Sequence, residues 1–222
     1  MEGLPDEVKT AVRTRLAADP IPDHTARSLG FDLLEYIDLK DIGRCLDVIG
    51  QGADLMVVDR DGRTSLTSAC YKNLPKVALA IIYCPGVDIN VKVRTLELTP
   101  LMMAIINGLG SVVVALLRNR ADVNAMDREG RTALYYACAN SRPQTALALI
   151  RAGADVHTGN LLEMPQVNTP SMKEVKEALR NALDAPTRTF TEPSRETAGG
   201  RRRKTRKARK HRKNHKHSHK KN

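Results

Sequence analysis

Thirteen lysines and arginines crowd into residues 201–222 with no acid among them. Arg201, Arg202, Arg203, Lys204, Arg206, Lys207, Arg209, Lys210, Arg212 and Lys213 are its densest part. Cations at this density displace counterions from a polyphosphate, so the expected chemistry is polyanion binding that weakens as salt rises. No aromatic side chain is interleaved, so neither base stacking nor sequence readout is expected. The same run also reads as a nuclear address or as a solvated segment with no single partner. It has no apolar anchor or amphipathic period, so no membrane role is expected. His211, His215, His217 and His219 are metal-ligand types, but their basic neighbours oppose a cation, and no metal site is expected. The remaining chain carries 23 bases against 25 acids. A near-neutral body with a basic tail is the asymmetry of a chain whose tail meets an acidic partner.

The body offers little covalent chemistry. It has no phosphate-binding glycine loop, no G-x-S-x-G and no H-E-x-x-H. Its two histidines, His24 and His157, form no cluster for acid–base work. Cys45, Cys70, Cys84 and Cys138 have neither metal-site nor redox spacing, so they read as small core fillers in a reducing compartment. No catalysis and no cofactor are expected. With no secretory signal and no apolar run near 18 residues, the reading is a soluble, non-secreted chain of the nucleus or cytoplasm.

The elements that must position any surface chemistry declare themselves by repetition. A threonine recurs as Thr64, Thr99 and Thr132, a leucine two residues on as Leu66, Leu101 and Leu134, and an alanine as Ala69, Ala104 and Ala137. An apolar pair follows as Ile81–Ile82, Leu116–Leu117 and Leu149–Ile150, ending 18 residues after each threonine. An aspartate closes each unit as Asp54, Asp88, Asp122 and Asp155, at steps of 34, 34 and 33. Such a period marks stacked repeats, each a pair of helices unable to bury its apolar face alone. The threonines can cap the first helices, and Pro100 is tolerated at a first helical position. Gly62 and Gly130 fit turns of positive φ. Gly86 and Gly153 fit helix stops, where Arg120 should be slightly strained. Aromatics are 3% of the chain with no tryptophan, which suits small-residue helix stacking. The expected fold is all-α, a repeat solenoid followed by a disordered basic tail.

The pattern D-x-x-G-x-T-x-L-x-x-A, present as Asp59, Gly62, Thr64, Leu66, Ala69 and as Asp127, Gly130, Thr132, Leu134, Ala137, resembles the ankyrin repeat family, whose period it shares. The middle copy keeps Thr99-Pro100-Leu101 and Ala104 but has one extra residue before Asp88 and another between Asp88 and Thr99. Its finger should therefore have its own shape. The resemblance gives repeats at about 25–58, 59–92, 93–126 and 127–160. Residues 1–24 form an N-terminal helix covering the end of the stack. Residues 161–184 close the other end through a Ser171–Glu174 capping box and the stripe Val175, Leu179, Leu183. Residues 185–222 are a linker and tail. Family members dock protein partners on turn tips and exposed first-helix positions, here Arg60, Asp61, Arg63, Arg128, Glu129 and Arg131, with Tyr71, Lys72, Ile106, Asn107, Ala139 and Asn140. Of Tyr135 and Tyr136, at least one is expected to pack rather than to contact a partner. The resemblance implies a monomeric, non-enzymatic protein-interaction module. Two alternatives stand beside it: a nucleic-acid-associated protein acting through the tail, and a ubiquitin-ligase adaptor, since Leu4-Pro5-Asp6-Glu7 looks like the first turn of an F-box. Repeats ending in a G-G-R-R-R-K tail also resemble, in style, ankyrin proteins of large DNA viruses, which would place the chain in a host cell.

Overall fold

Short helices dominate, because each is too brief to stand alone and must find a neighbour. The computed structural model describes residues 3–18 and 21–184. The expected linker and basic tail lie outside the described residues. Ten α-helices follow in order: α1 (Asp6–Ala17), α2 (Asp23–Asp38), α3 (Ile42–Gln51), α4 (Ser65–Tyr71), α5 (Pro75–Ile82), α6 (Pro100–Ile106), α7 (Gly110–Arg118), α8 (Ala133–Ala139), α9 (Pro143–Arg151) and α10 (Lys173–Asp184). Among the described residues there is no strand, only one antiparallel bridge, Val58 to Thr64, at the base of the first finger. The architecture is the all-α repeat solenoid expected from the sequence.

First helices α2, α4, α6 and α8 pack in succession as one layer, and second helices α3, α5 and α7 pack as another. The landmark leucines and alanines form the spine between layers. Leu66, Leu101 and Leu134 are each 1% exposed or less, and Ala69, Ala104 and Ala137 are fully buried. Burying each leucine is worth about 1.5–3 kcal/mol, so the seven-residue helices are held by stacking. Each landmark threonine caps its helix: Thr64, Thr99 and Thr132 accept from the amides of Thr67, Met102 and Tyr135 at 3.3–3.4 Å. All four cysteines are buried and unpaired to one another.

Four features differ from the sequence reading. Helix α1 lies on second helices α3 and α5, not over the end of the stack. Its Val8 and Val12 are buried, and Glu7 is paired with Lys76 of α5 at 2.9 Å. Ser171 does not cap α10. A 3-10 turn, Pro170–Met172, leads into that helix, and the Ser171 hydroxyl pairs with that of Thr169 at 3.1 Å. Val175 and Leu179 of the predicted stripe are fully buried. Gly86 has a positive φ of 77° but lies in the loop after α5, which already ends at Ile82. Between α9 and α10, where the composition of residues 157–169 suggests a loop, lie two 3-10 turns, Leu161–Glu163 and Pro165–Asn168, and the second packs on α8.

Candidate functional site

Three hairpin fingers join the second helix of one repeat to the first helix of the next. The first closes through Asp59 N–H to Arg63 O at 2.9 Å and Gly62 N–H to Asp59 O at 3.0 Å, and the third through Asp127 to Arg131 and Gly130 to Asp127, both at 3.0 Å. The middle finger closes one residue later, with Val93 N–H to Leu98 O at 3.0 Å and Glu97 N–H to Val93 O at 2.8 Å. That added residue is the insertion seen in the sequence, and it leaves Glu97 at a φ of 54° where the other fingers have glycine. Gly62 is required twice over. Its φ is 75°, and a Cβ there would sit 2.7 Å from Cγ of Arg94, whose stem lies across it. Arg128 N–H donates to Leu96 O at 3.2 Å, and Lys92 Nζ to Met126 O at 2.7 Å. The fingers therefore form one continuous row.

The aspartate that opens the first and third fingers is an internal node. Asp59 Oδ1 accepts from the amides of Asp61 and Arg63, both at 2.9 Å, and Oδ2 accepts from Arg63 Nε at 2.8 Å. Asp127 repeats this with the amides of Glu129 and Arg131 and with Arg131 Nε at 3.0 Å, and adds the Tyr136 hydroxyl at 2.5 Å. Burial alone would raise both carboxyls, but these donors and the arginine charges outweigh it and hold both below the usual range. Tyr136 is driven upward by burial and by its bond to Asp127.

The expected contact residues divide accordingly. Arg63 is consumed: it binds Asp59 and Asp61 and lies 4.7 Å over the Tyr71 ring. Arg131 likewise binds Asp127 and Glu129 and lies 5.2 Å over Tyr136. Asp61 and Glu129 are exposed but belong to these same pairs. Lys72 reaches back to Asp38 of the preceding repeat at 2.9 Å. Asn107 Nδ2 donates to Cys70 O at 3.1 Å, and Ile106 packs against the core. Asn140 is exposed with its amide on Tyr136 O at 2.8 Å, and Ala139 beside it is half-buried. Arg60, Arg128 and half-exposed Tyr71 face outward. Tyr135 and Tyr136 stack edge to face at 5.8 Å, both half-buried. The residues from Arg201 to Lys213 lie outside the described residues.

Sequence reasoning overlooked a second set of links. Asn90 Oδ1 accepts from the Asp122 amide at 2.9 Å, and Asn124 Oδ1 from the Asp155 amide at 2.7 Å. Each asparagine sits two residues after a closing aspartate and staples its repeat to the next. The recurrence of Asp-x-Asn at 88–90 and 122–124 was the available signal. An open groove of about 860 Å³ lies between α1 and α3, lined by Asp6, Glu7, Asp47 and Lys76 among others.

Helix pairs sharing one apolar spine and presenting a row of fingers define a repeat-built solenoid. Residues 79–160 match the family model described as ankyrin repeats, in 3 copies. This chain therefore contains ankyrin repeats over that segment. It is 32% identical to the B-cell lymphoma 3 protein homolog of Mus musculus over 122 residues, 54% of this chain and 27% of that protein. It is 30% identical to the neurogenic locus notch homolog protein 2 of Homo sapiens over 108 residues, 49% of this chain and 4% of that protein. The human neurogenic locus notch homolog protein 1 matches at 30% over 103 residues, 46% of this chain and 4% of that protein. The chain thus spans 27% or less of the length of these relatives. No helix among the described residues is long and apolar enough to cross a membrane.

Proposed function

We propose that this chain is a non-catalytic protein-interaction scaffold that holds a protein on its finger row and on the exposed positions of its first helices. The observation that carries this reading is the division of charge in the fingers. Arg63 and Arg131 build the fingers, which leaves Arg60, Arg128 and Tyr71 as outward groups of types favoured at interfaces. The polybasic tail is a second contact, for a polyanion or a targeting receptor, and its support is compositional: 13 bases and no acid in 22 residues. The ligase-adaptor reading has less support, because Leu4, Val8 and Val12 are already buried, and among the described large apolar residues of that segment only Leu16 is exposed.

Deleting residues 201–222 separates the two contacts. In a cross-linked pull-down, protein partners should survive the deletion and resist moderate salt. Loss of all partners from the truncated chain, with salt-labile capture by the intact one, would transfer the function to the tail.

A further inference from the structure

The ion pairs of the three fingers close on themselves with one remainder each. In the first, Arg63 takes both Asp59 and Asp61; in the second, Lys92 pairs with Glu97; in the third, Arg131 takes Asp127 and Glu129. Asp59, Asp61, Glu97, Asp127 and Glu129 at the finger tips are thus each paired within their own finger, while Asp54, Asp88 and Asp122 at the finger bases accept backbone amides and form no ion pair among the described residues. Each finger tip then keeps one exposed arginine with no ion pair among the described residues: Arg60, Arg94 and Arg128. Large apolar side chains are exposed beside them: Val58 at 37% and Met56 at 36% in the first finger, Leu96 at 51% in the second and Met126 at 44% in the third. Bonds between the second and third fingers, and the Arg94 stem lying across Gly62 of the first, hold these residues on one continuous rim.

We infer that this rim receives an extended acidic peptide segment whose carboxylates recur at about every third residue, with apolar side chains between them. The inference rests on the interaction reading above and adds the chemistry of the partner. Packed helices lie about 8–10 Å apart, so arginines in successive repeats are offset by about that distance. An extended chain advances about 3.3 Å per residue, so three residues step from one finger to the next. The arginines supply charge and bidentate geometry for carboxylates. Val58, Leu96 and Met126 supply what a phosphate backbone would leave unused, which favours a peptide over a nucleic acid.

The test uses the full-length chain and a short fluorescein-labelled peptide with glutamate at every third position and leucine and threonine between. Binding is followed by fluorescence anisotropy. The comparison is between the unaltered chain and the R60E/R94E/R128E variant. The basic tail is common to both and cancels as background. All three side chains are exposed, and matching circular-dichroism melts establish that the variant folds. The variant should bind the peptide at least about tenfold more weakly, and R60K/R94K/R128K should retain most of the affinity. A peptide of the same composition with its glutamates contiguous should discriminate the two proteins less. Three results would overturn the inference: equal affinity for variant and unaltered chain, no preference for the spaced peptide, or a single-stranded oligonucleotide that discriminates them more strongly than the peptide. If the peptide fails while protein partners still cross-link to the fingers, the scaffold reading stands and only the acidic-segment chemistry falls.

Discussion

Replacing Asp127 by alanine should cost more than the same change at Asp59, although the two occupy equivalent positions in near-identical sequence motifs. The Asp127 side chain is 1% exposed and the Asp59 side chain 22%. Each accepts two backbone amides and one arginine Nε, but Asp127 also accepts the Tyr136 hydroxyl at 2.5 Å, where Asp59 meets only the Ser68 hydroxyl at 3.5 Å. A hydrogen bond to a charged group contributes about 1.5–3 kcal/mol, and donors left buried without a partner add desolvation cost. Loss of the extra bond, together with a drier site, puts Asp127→Ala near ~4 kcal/mol and Asp59→Ala near ~2 kcal/mol. Urea unfolding followed by far-ultraviolet circular dichroism measures both, and the denaturant slope must stay constant for the comparison to hold. Equal losses, or a larger loss at Asp59, would refute the view that Asp127 is a buried node holding the last repeat together.

Other consequences follow from the same geometry. Asn124 accepts from the Asp155 amide and donates to Gly153 O at 3.2 Å, so Asn124→Ala should destabilise by about 1 kcal/mol and speed hydrogen exchange at the Asp155 amide. Arg120 holds a left-handed φ of 63° just after α7, so Arg120→Gly should raise stability by about 0.5–1 kcal/mol, read as a higher melting temperature. Burial raises Cys70 to about 12 and Cys138 to about 11, so a thiol reagent at neutral pH should label neither until the repeats unfold. Asp59 and Asp127 have folded pKa values below the ordinary 3.8. The stability they contribute is complete above that value and is lost as pH falls through the depressed folded values. Asp127→Asn should therefore flatten the fall in melting temperature below about pH 4.

The period, the threonine caps and the buried spine were legible because each rests on local chemistry repeated in register. Thr64, Thr99 and Thr132 cap because each side-chain oxygen faces the amide three residues on, an effect that needs no knowledge of neighbours. The extra residue of the middle finger was countable, and its shape followed from the count. Arg63 and Arg131 were less legible. An arginine two residues after an acid reads as a solvated tip, and only the folded hairpin turns it inward onto Asp59 or Asp127. The staples of Asn90 and Asn124 span 32 and 31 residues, beyond the reach of any local rule. Helix α1 was legible as a covering helix, but the sequence does not say which neighbours it covers. Ser171 matched a capping pattern, yet Pro170 and Thr169 set up a 3-10 turn that took its hydroxyl elsewhere.

Hydrogen exchange on the chain with and without a captured protein partner tests the scaffold reading most directly. Protection concentrated on residues 58–61, 94–97 and 126–129, with the C-terminal end of α4, is the predicted outcome. Protection confined to residues 201–222, with the fingers exchanging as in the free chain, would contradict it.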